Sequence, residues 1–281
     1  MIPACPICGE AAHGETKFRG VYRCGRHGTF EWFDRSLLDN VDLVAAYQSY
    51  PYNRSLGQDF ERMKPAYVRG LVRRVLKYHP KTEGLSFLDV GCANGEYLEA
   101  ARALGMSPVD GVEIDEEARE KASVHGRVYS NMNELRGRYD VVQCKNVLSN
   151  ISDPARFFAG LLDRTKPGGV LFLDVLNQFG LVASIKKTMR RPGILRPPYV
   201  INGFSKEAVA ELAKRQKAKV AWLGTIYAGS DLLPYRRSIG LVARGWAARI
   251  LGAASMIAAD MLPGGPEMGA DGPTVRPDNL P

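Results

Sequence analysis

Apolar residues along this chain fall into two alternating rhythms. Short apolar runs sit at 86–90, 108–113, 139–144 and 169–175, with a weaker one at 127–129. Runs of that length bounded by glycine or proline suit strands buried on both faces. Between them, residues 95–104, 116–125 and 154–163 carry apolar positions three and four apart, the spacing of a helix face. Asp153 and Pro154 open the third of these with an N-cap acid and a first-turn proline. Lys166-Pro167-Gly168-Gly169 ends it and turns into the next strand. The alternation predicts an α/β fold, a doubly wound and mostly parallel sheet with its ligand at the carboxyl ends of the strands.

The flanks extend this pattern. Val68, Leu71, Val72, Val75 and Leu76 predict a helix over 66–77, inside a helical lead-in spanning 41–84. The main domain is expected over 85–235. Within it, 178–200 reads as a variable basic insertion, Ser205 starts a helix to about Lys214, and 218–226 reads as a strand. Ile239, Val242, Trp246, Ile250, Ile257 and Met261 predict an amphipathic helix over 236–262. Such a helix packs on its own domain or a dimer partner, or lies on an acidic membrane surface. Proline, glycine and aspartate dominate 263–281, the composition of a disordered tail.

Residues 1–40 form a separate module. Cys5 and Cys8 make C-x2-C; after fifteen intervening residues, Cys24 and His27 make C-x2-H. Zinc takes about four ligands in a tetrahedron, and a two-residue gap lets one turn present two of them. Cys5, Cys8, Cys24 and His27 are therefore the expected ligands of a closed, structural zinc ribbon, with His13 as rival fourth ligand. A hairpin is expected over 17–22. So small a module has little core, and metal binding would supply its folding energy.

Candidate chemistry concentrates after the first main-domain strand. Asp89 is followed by Gly91-Cys92-Ala93-Asn94-Gly95, and Glu113 ends the second strand. A glycine-rich turn paired with a strand-end acid holds the adenosine part of a cofactor. The second glycine of the dinucleotide fingerprint is absent, with Ala93 in its place, and no Gly-Lys-Ser/Thr follows to make a P-loop. The turn suits an adenosine cofactor without phosphates, which points to S-adenosylmethionine (SAM). Glu113 can accept hydrogen bonds from both ribose hydroxyls.

On these motifs, 86 to about 177 resembles the class I SAM-dependent methyltransferases. Phe87 to Gly95 is similar to that family's D-x-G-x-x-x-G motif, Gly111-Val112-Glu113 to its ribose-binding acid, 139–154 to its fourth-strand segment, and 166–169 to its closing motif. The resemblance implies that Asp89 and the loop Gly91, Cys92, Ala93, Asn94 and Gly95 contact the methionine end. It implies that Glu113 holds the ribose, Ile114 packs on adenine, and Asn131 reaches the adenine amine. Lys145 and Asn146 then face the methyl-transfer region. The N-terminal module resembles zinc ribbons that precede some methyltransferases, both sugar and small-molecule enzymes and 23S rRNA guanine enzymes. Two departures matter. Where many small-molecule members read V-L-E-H-I, this chain reads Val147-Leu148-Ser149-Asn150-Ile151, and Asn150 cannot act as a base. No Asn-Pro-Pro-Tyr or Asp-Pro-Pro-Tyr motif follows the fourth strand, which argues against adenine-N6, DNA-amino or glutamine-amide methylation. The general base is unassigned.

Charge bears on the acceptor. The net charge is +8, divided as +4 over 1–80, −4 over 81–180, +10 over 181–262 and −2 over 263–281. A basic block beyond an acidic cofactor domain suits an anionic partner. Lys186, Lys187, Arg190 and Arg191 are candidates to grip a phosphate. The leading expectation is SAM-dependent O-methylation of a small-molecule or glycan-type acceptor, with a phosphate-bearing one included. RNA base methylation and a non-catalytic SAM-binding protein are the alternatives. No apolar run reaches transmembrane length and no signal-peptide pattern opens the chain, so the expected location is cytoplasmic.

Overall fold

The buried apolar runs pair edge to edge in one seven-stranded sheet, seen in a computed structural model that describes residues 2–26, 30–38, 45, 60–226 and 256–263. Three short strands come first: β1 (Ala12–Glu15), β2 (Val21–Cys24) and β3 (Glu31–Phe33). Helix α1 (Phe60–Val75) leads to β4 (Phe87–Val90), α2 (Glu96–Ala103), β5 (Val109–Val112), α3 (Glu116–Ala122) and β6 (Arg127–Tyr129). Then come β7 (Tyr139–Lys145), α4 (Pro154–Asp163), β8 (Thr165–Leu176) and α5 (Leu181–Thr188). The chain continues through β9 (Asn202–Gly203), α6 (Lys206–Arg215), β10 (Lys219–Ile226) and β11 (Met256–Leu262).

The large sheet has the order β10-β11-β8-β7-β4-β5-β6. From β8 to β6 every pairing is parallel, while β11 runs antiparallel to both of its neighbours. Alternation along the strands divides the core in two. Leu88, Val90, Val142, Leu171 and Leu173 pack with Phe158 and Leu161 of α4 and Val209 and Leu212 of α6. Phe87, Val141, Val170 and Phe172 pack with Leu71 and Val75 of α1 and Leu98 of α2. This double covering is why the parallel strands are apolar throughout rather than alternating. It is the α/β, doubly wound arrangement expected from the sequence.

Three sequence expectations need correction. The helix expected over 236–262 does not reach its end, because Met256–Leu262 is a strand. Ile257, Ala259 and Met261 alternate into the core, and a four-residue interval between two apolar residues fits both a helix and a strand. Residues 236–255 and the tail from 264 lie outside the described residues. The hairpin expected over 17–22 is displaced: its strands are β1 and β2, and the residues between them form the turn. Helix α1 begins at Phe60, before Pro65, rather than at 66.

Nor is the N-terminal module a separate unit. Its sheet has the order β1-β2-β3-β9, and its last strand comes from the far side of the main domain. Phe30 and Trp32 are buried in the same core as Phe204 and Leu212, and the Phe30 and Phe204 rings lie 5.1 Å apart. This packing supplies folding energy that the sequence assigned to metal alone.

One buried ion network locks the lead-in helix to the sheet. Arg74 on α1 donates from Nε to Asp260 on β11 at 2.6 Å, and from a terminal nitrogen to Asp174 on β8 at 2.9 Å. The Tyr78 hydroxyl donates to the other Asp260 oxygen at 2.8 Å. The guanidinium also lies 4.4 Å from the Phe172 ring centroid. Two carboxylates inside a sheet are tolerated because one guanidinium hydrogen-bonds both and the Lys77 ammonium lies 4.0 Å from Asp260, adding the second positive charge. No helix among the described residues is long and apolar enough to cross a membrane.

Candidate functional site

The chain turns sharply where β4 ends, and the turn leaves no room for side chains. Gly91 has φ +80°, and a Cβ there would lie 2.1 Å from Cγ2 of Val147. Gly95 has φ +89° and presses on Ala122 of α3, where a Cβ would come within 2.9 Å of its Cα. Ala93 between them also sits at positive φ, +48°. Such backbone belongs to a loop held by its surroundings.

Glu113, just past β5, does the holding. One carboxylate oxygen accepts from the Ala93 N–H at 2.9 Å and the other from the Asp115 N–H at 3.0 Å. An ionised carboxylate has about four acceptor sites, so each oxygen keeps capacity for a further donor. Cys92 turns inward under Gly111, where a Cβ would meet its sulfur at 2.7 Å. Only its backbone faces the loop's outer side.

Three acids gather at this end of the sheet. Asp89 is buried on β4, with Gln143 of β7 donating to it at 3.4 Å. Burial pushes its carboxyl up to about 7; the neighbouring Glu96 and Glu113 add to the rise, while Gln143 and Lys145 oppose it. Burial likewise raises Glu96 and Glu113, against a hydrogen bond from Asn94 in the first case and backbone N–H groups in the second. Glu96 and Gln143 were not singled out from the sequence. The signals were a polar residue inside an apolar strand and an acid in the first turn of a helix.

The other expected residues are placed as follows. Lys145 ends β7, with its ammonium 5.5 Å from the Tyr97 ring centroid. Asn146 follows at φ +60°, and its N–H donates to the Asp174 carbonyl at 2.9 Å. Ile114 is 52% exposed, a free apolar surface beside Glu113. Asn131 is exposed and caps the turn Met132–Glu134, with its oxygen accepting from Asn133 and its amide donating to Glu134 at 2.6 Å. Asn150 donates to the Asn146 carbonyl at 3.1 Å. Cys144 is buried in β7, and burial pushes its thiol up.

In the N-terminal sheet, the sulfurs of Cys5, Cys8 and Cys24 all lie within 4.8 Å of one another. The Gly9 N–H donates to the Cys5 carbonyl at 2.8 Å, closing the first knuckle. His27 lies outside the described residues. His13 is exposed on β1 and does not join the cluster.

A sequence model described as a methyltransferase domain matches residues 60–220, more than half of the chain. The chain belongs to the methyltransferase-domain family. Among curated relatives, the ubiquinone biosynthesis O-methyltransferase of Shewanella pealeana is 29% identical over 119 residues, covering 37% of this chain and 50% of the relative. The protein of the same description from Leptothrix cholodnii is 32% identical over 111 residues, covering 35% of this chain and 47% of the relative. The chain thus spans about half the length of the curated relatives it matches. The solved magnesium protoporphyrin IX methyltransferase of Synechocystis superposes with a TM-score of 0.53 at 15% identity, over 82% of this chain and 99% of that one. A SAM-dependent methyltransferase from Mesorhizobium loti gives 0.52 at 15%, over 70% and 97%. These superpositions establish the family fold.

The family's methyl donor fits this loop. SAM carries a sulfonium and an ammonium, and a cation offsets the mutual repulsion of Asp89, Glu96 and Glu113. The sign of the pH dependence follows. Asp89 keeps its proton up to about 7 in the folded chain but loses it near about 4 when unfolded, so its contribution to stability falls as pH rises between the two. Binding of an ammonium-bearing ligand runs the other way, because it favours the ionised form. Affinity for S-adenosylhomocysteine, followed by calorimetry, is expected to rise from about pH 5.5 to about pH 7.5 and to lose most of this slope in Asp89→Asn. An equal slope in that variant would contradict the assignment.

Proposed function

We propose that this chain is a SAM-dependent methyltransferase acting on a hydroxyl oxygen of a small-molecule or glycan-type acceptor. The observation that carries the reading is the Gly91–Gly95 turn braced by Glu113 at the carboxyl ends of β4 and β5. In this reading Asp89 and the loop backbone hold the amino-acid end of the cofactor. Glu113 accepts from the ribose hydroxyls with its remaining lone pairs, and Ile114 covers the adenine. Asn131 holds the adenine edge from its turn. The bound cofactor supplies an electrophilic methyl carbon on a positively charged sulfur.

The chain's own work is then placement. Lys145, Asn146 and the segment after β8 bring the acceptor oxygen into line with that carbon and exclude water. Positioning of this kind supplies much of a methyl transfer's rate without a strong base. The O-methyltransferase names of the sequence relatives support an oxygen acceptor.

An anionic group on the acceptor is supported by the end of α5 and the segment that follows it. Lys186 is held down first by burial, then by Arg196 and Arg191, so three cations lie near one another. Lys187, expected beside them, is paired with Glu31 instead, at 2.9 Å. A cationic cluster at the acceptor side matches a phosphate or carboxylate.

The test is tritiated-methyl transfer from SAM into extract fractionated into small-molecule, glycan, lipid and RNA pools. Label in the small-molecule or glycan pool, with S-adenosylhomocysteine released, is the expected result. Label in the RNA pool would replace this acceptor class, and no S-adenosylhomocysteine from any pool would leave a binding protein.

We further propose that Cys5, Cys8 and Cys24 hold a structural zinc ion with His27 as fourth ligand. The convergence of the three sulfurs supports it. Metal analysis of the purified chain is expected to find about one zinc per molecule, and Cys5→Ser to lose it. A metal-free wild-type chain would sink the assignment.

A further inference from the structure

Glu31 is 2% exposed, in a strand of only three residues that lies between β2 and β9 in the N-terminal sheet. A buried carboxylate persists only where its charge is met. Three donors meet this one: Arg23 at 2.5 Å, Gln178 at 2.6 Å and Lys187 at 2.9 Å. Burial alone would raise its pKa, but the hydrogen bonds from Lys187, Gln178 and Arg23 outweigh burial and leave it lowered.

Two of these partners belong to the segment after β8. Gln178 is fully buried between two glycines; a Cβ on Gly193 would lie 2.4 Å from its side-chain oxygen, and one on Gly203 would lie 2.6 Å from its Cβ. Its amide has one orientation that fits. The nitrogen donates to Glu31 and to the Pro192 carbonyl at 3.0 Å, and the oxygen accepts from the Ile194 N–H at 2.8 Å. Lys187 is in the last turn of α5, and Lys17 of the β1–β2 hairpin donates to its carbonyl at 3.2 Å. Helix α5 and the hairpin otherwise face each other across an open cleft of about 450 Å³.

The same segment reaches the end of β7. The Phe33 N–H donates to Ile201 at 2.8 Å, and Ile201 donates in turn to Ser149 at 2.9 Å. The Asn202 amide donates to the Ile151 carbonyl at 2.6 Å. Ser149 and Ile151 belong to the loop that follows Asn146. A ribbon residue 147 positions away from Gln178 is therefore wired to the carboxyl ends of β7 and β8, where ligands of such sheets bind.

We propose that Glu31 is a positioning residue for the acceptor: through Gln178 and Lys187 it fixes residues 177–204 beside the end of β7, so the N-terminal ribbon sets acceptor affinity without contacting the cofactor. The inference rests on the acceptor side lying where the preceding reading puts it. It does not require the acceptor's identity.

The test compares full-length wild type with Glu31→Gln, which keeps the volume and removes the charge. Lys187→Met breaks the same contact from the opposite side. Hydrogen exchange over 181–204 is expected to quicken at least about tenfold in both variants, with the affinity for S-adenosylhomocysteine within about twofold of wild type. With labelled SAM and 3,4-dihydroxybenzoate as a phenolic probe, KM for the probe is expected to rise at least about tenfold while kcat changes less than about threefold. A wild-type chain that ignores this probe would count against the phenolic acceptor class alone, and exchange and cofactor affinity would still decide the role of Glu31. Unchanged exchange in both variants, or cofactor affinity that falls in step with exchange, would overturn the proposal.

Discussion

The Glu113 carboxylate is the constraint on which the site depends. The turn after β4 combines three residues at positive φ with two close contacts that admit no Cβ. Backbone bonds hold its two ends, from Gly91 and Cys92 to the Val112 carbonyl and from Gly95 to the Cys92 carbonyl. Glu113 braces the middle by accepting from Ala93 inside the turn and from Asp115 at the start of α3. The β4 and β5 ends are thereby fixed to each other at the carboxyl end of the parallel strands, where ligands of such sheets bind. Gly91 against Val147 extends the same constraint to the loop after β7.

Electrostatics then selects what the fixed loop can hold. Asp89, Glu96 and Glu113 share a small, partly dry space, and burial raises all three. An anionic cofactor would add to that repulsion, whereas a cationic one relieves it. A grouping of the opposite sign is formed by Lys186, in the last turn of α5, with Arg191 and Arg196 of the segment that follows.

Much of this was legible from the sequence because the signals are local. Buried parallel strands read as apolar runs, Asp153-Pro154 marks a helix start, and the G-x-x-x-G turn with Glu113 marks the cofactor end. What was missed depends on pairings distant in sequence. Strand β9 is two residues long and acquires its partner from β3, which no periodicity foretells. Strand β11 was read as helix because Ile257 and Met261 fit both periods. Its deciding residue, Asp260, is a fully buried acid explained by Arg74 on α1 and Tyr78 just beyond it. Lys187 read as a phosphate-gripping candidate and Glu31 was not singled out, yet the two pair with each other. Asn131 kept its acceptor oxygen as expected, but that oxygen already caps a turn.

The central claim is that Glu113 both shapes the turn and holds the cofactor. Calorimetric titration of S-adenosylhomocysteine into the wild-type chain and into Glu113→Ala tests it most directly. The account predicts one site per wild-type chain and an affinity lower by about tenfold to a hundredfold in the variant, the range expected for losing hydrogen bonds to a charged group. Equal affinity in the two chains, or no binding heat from either, would contradict it.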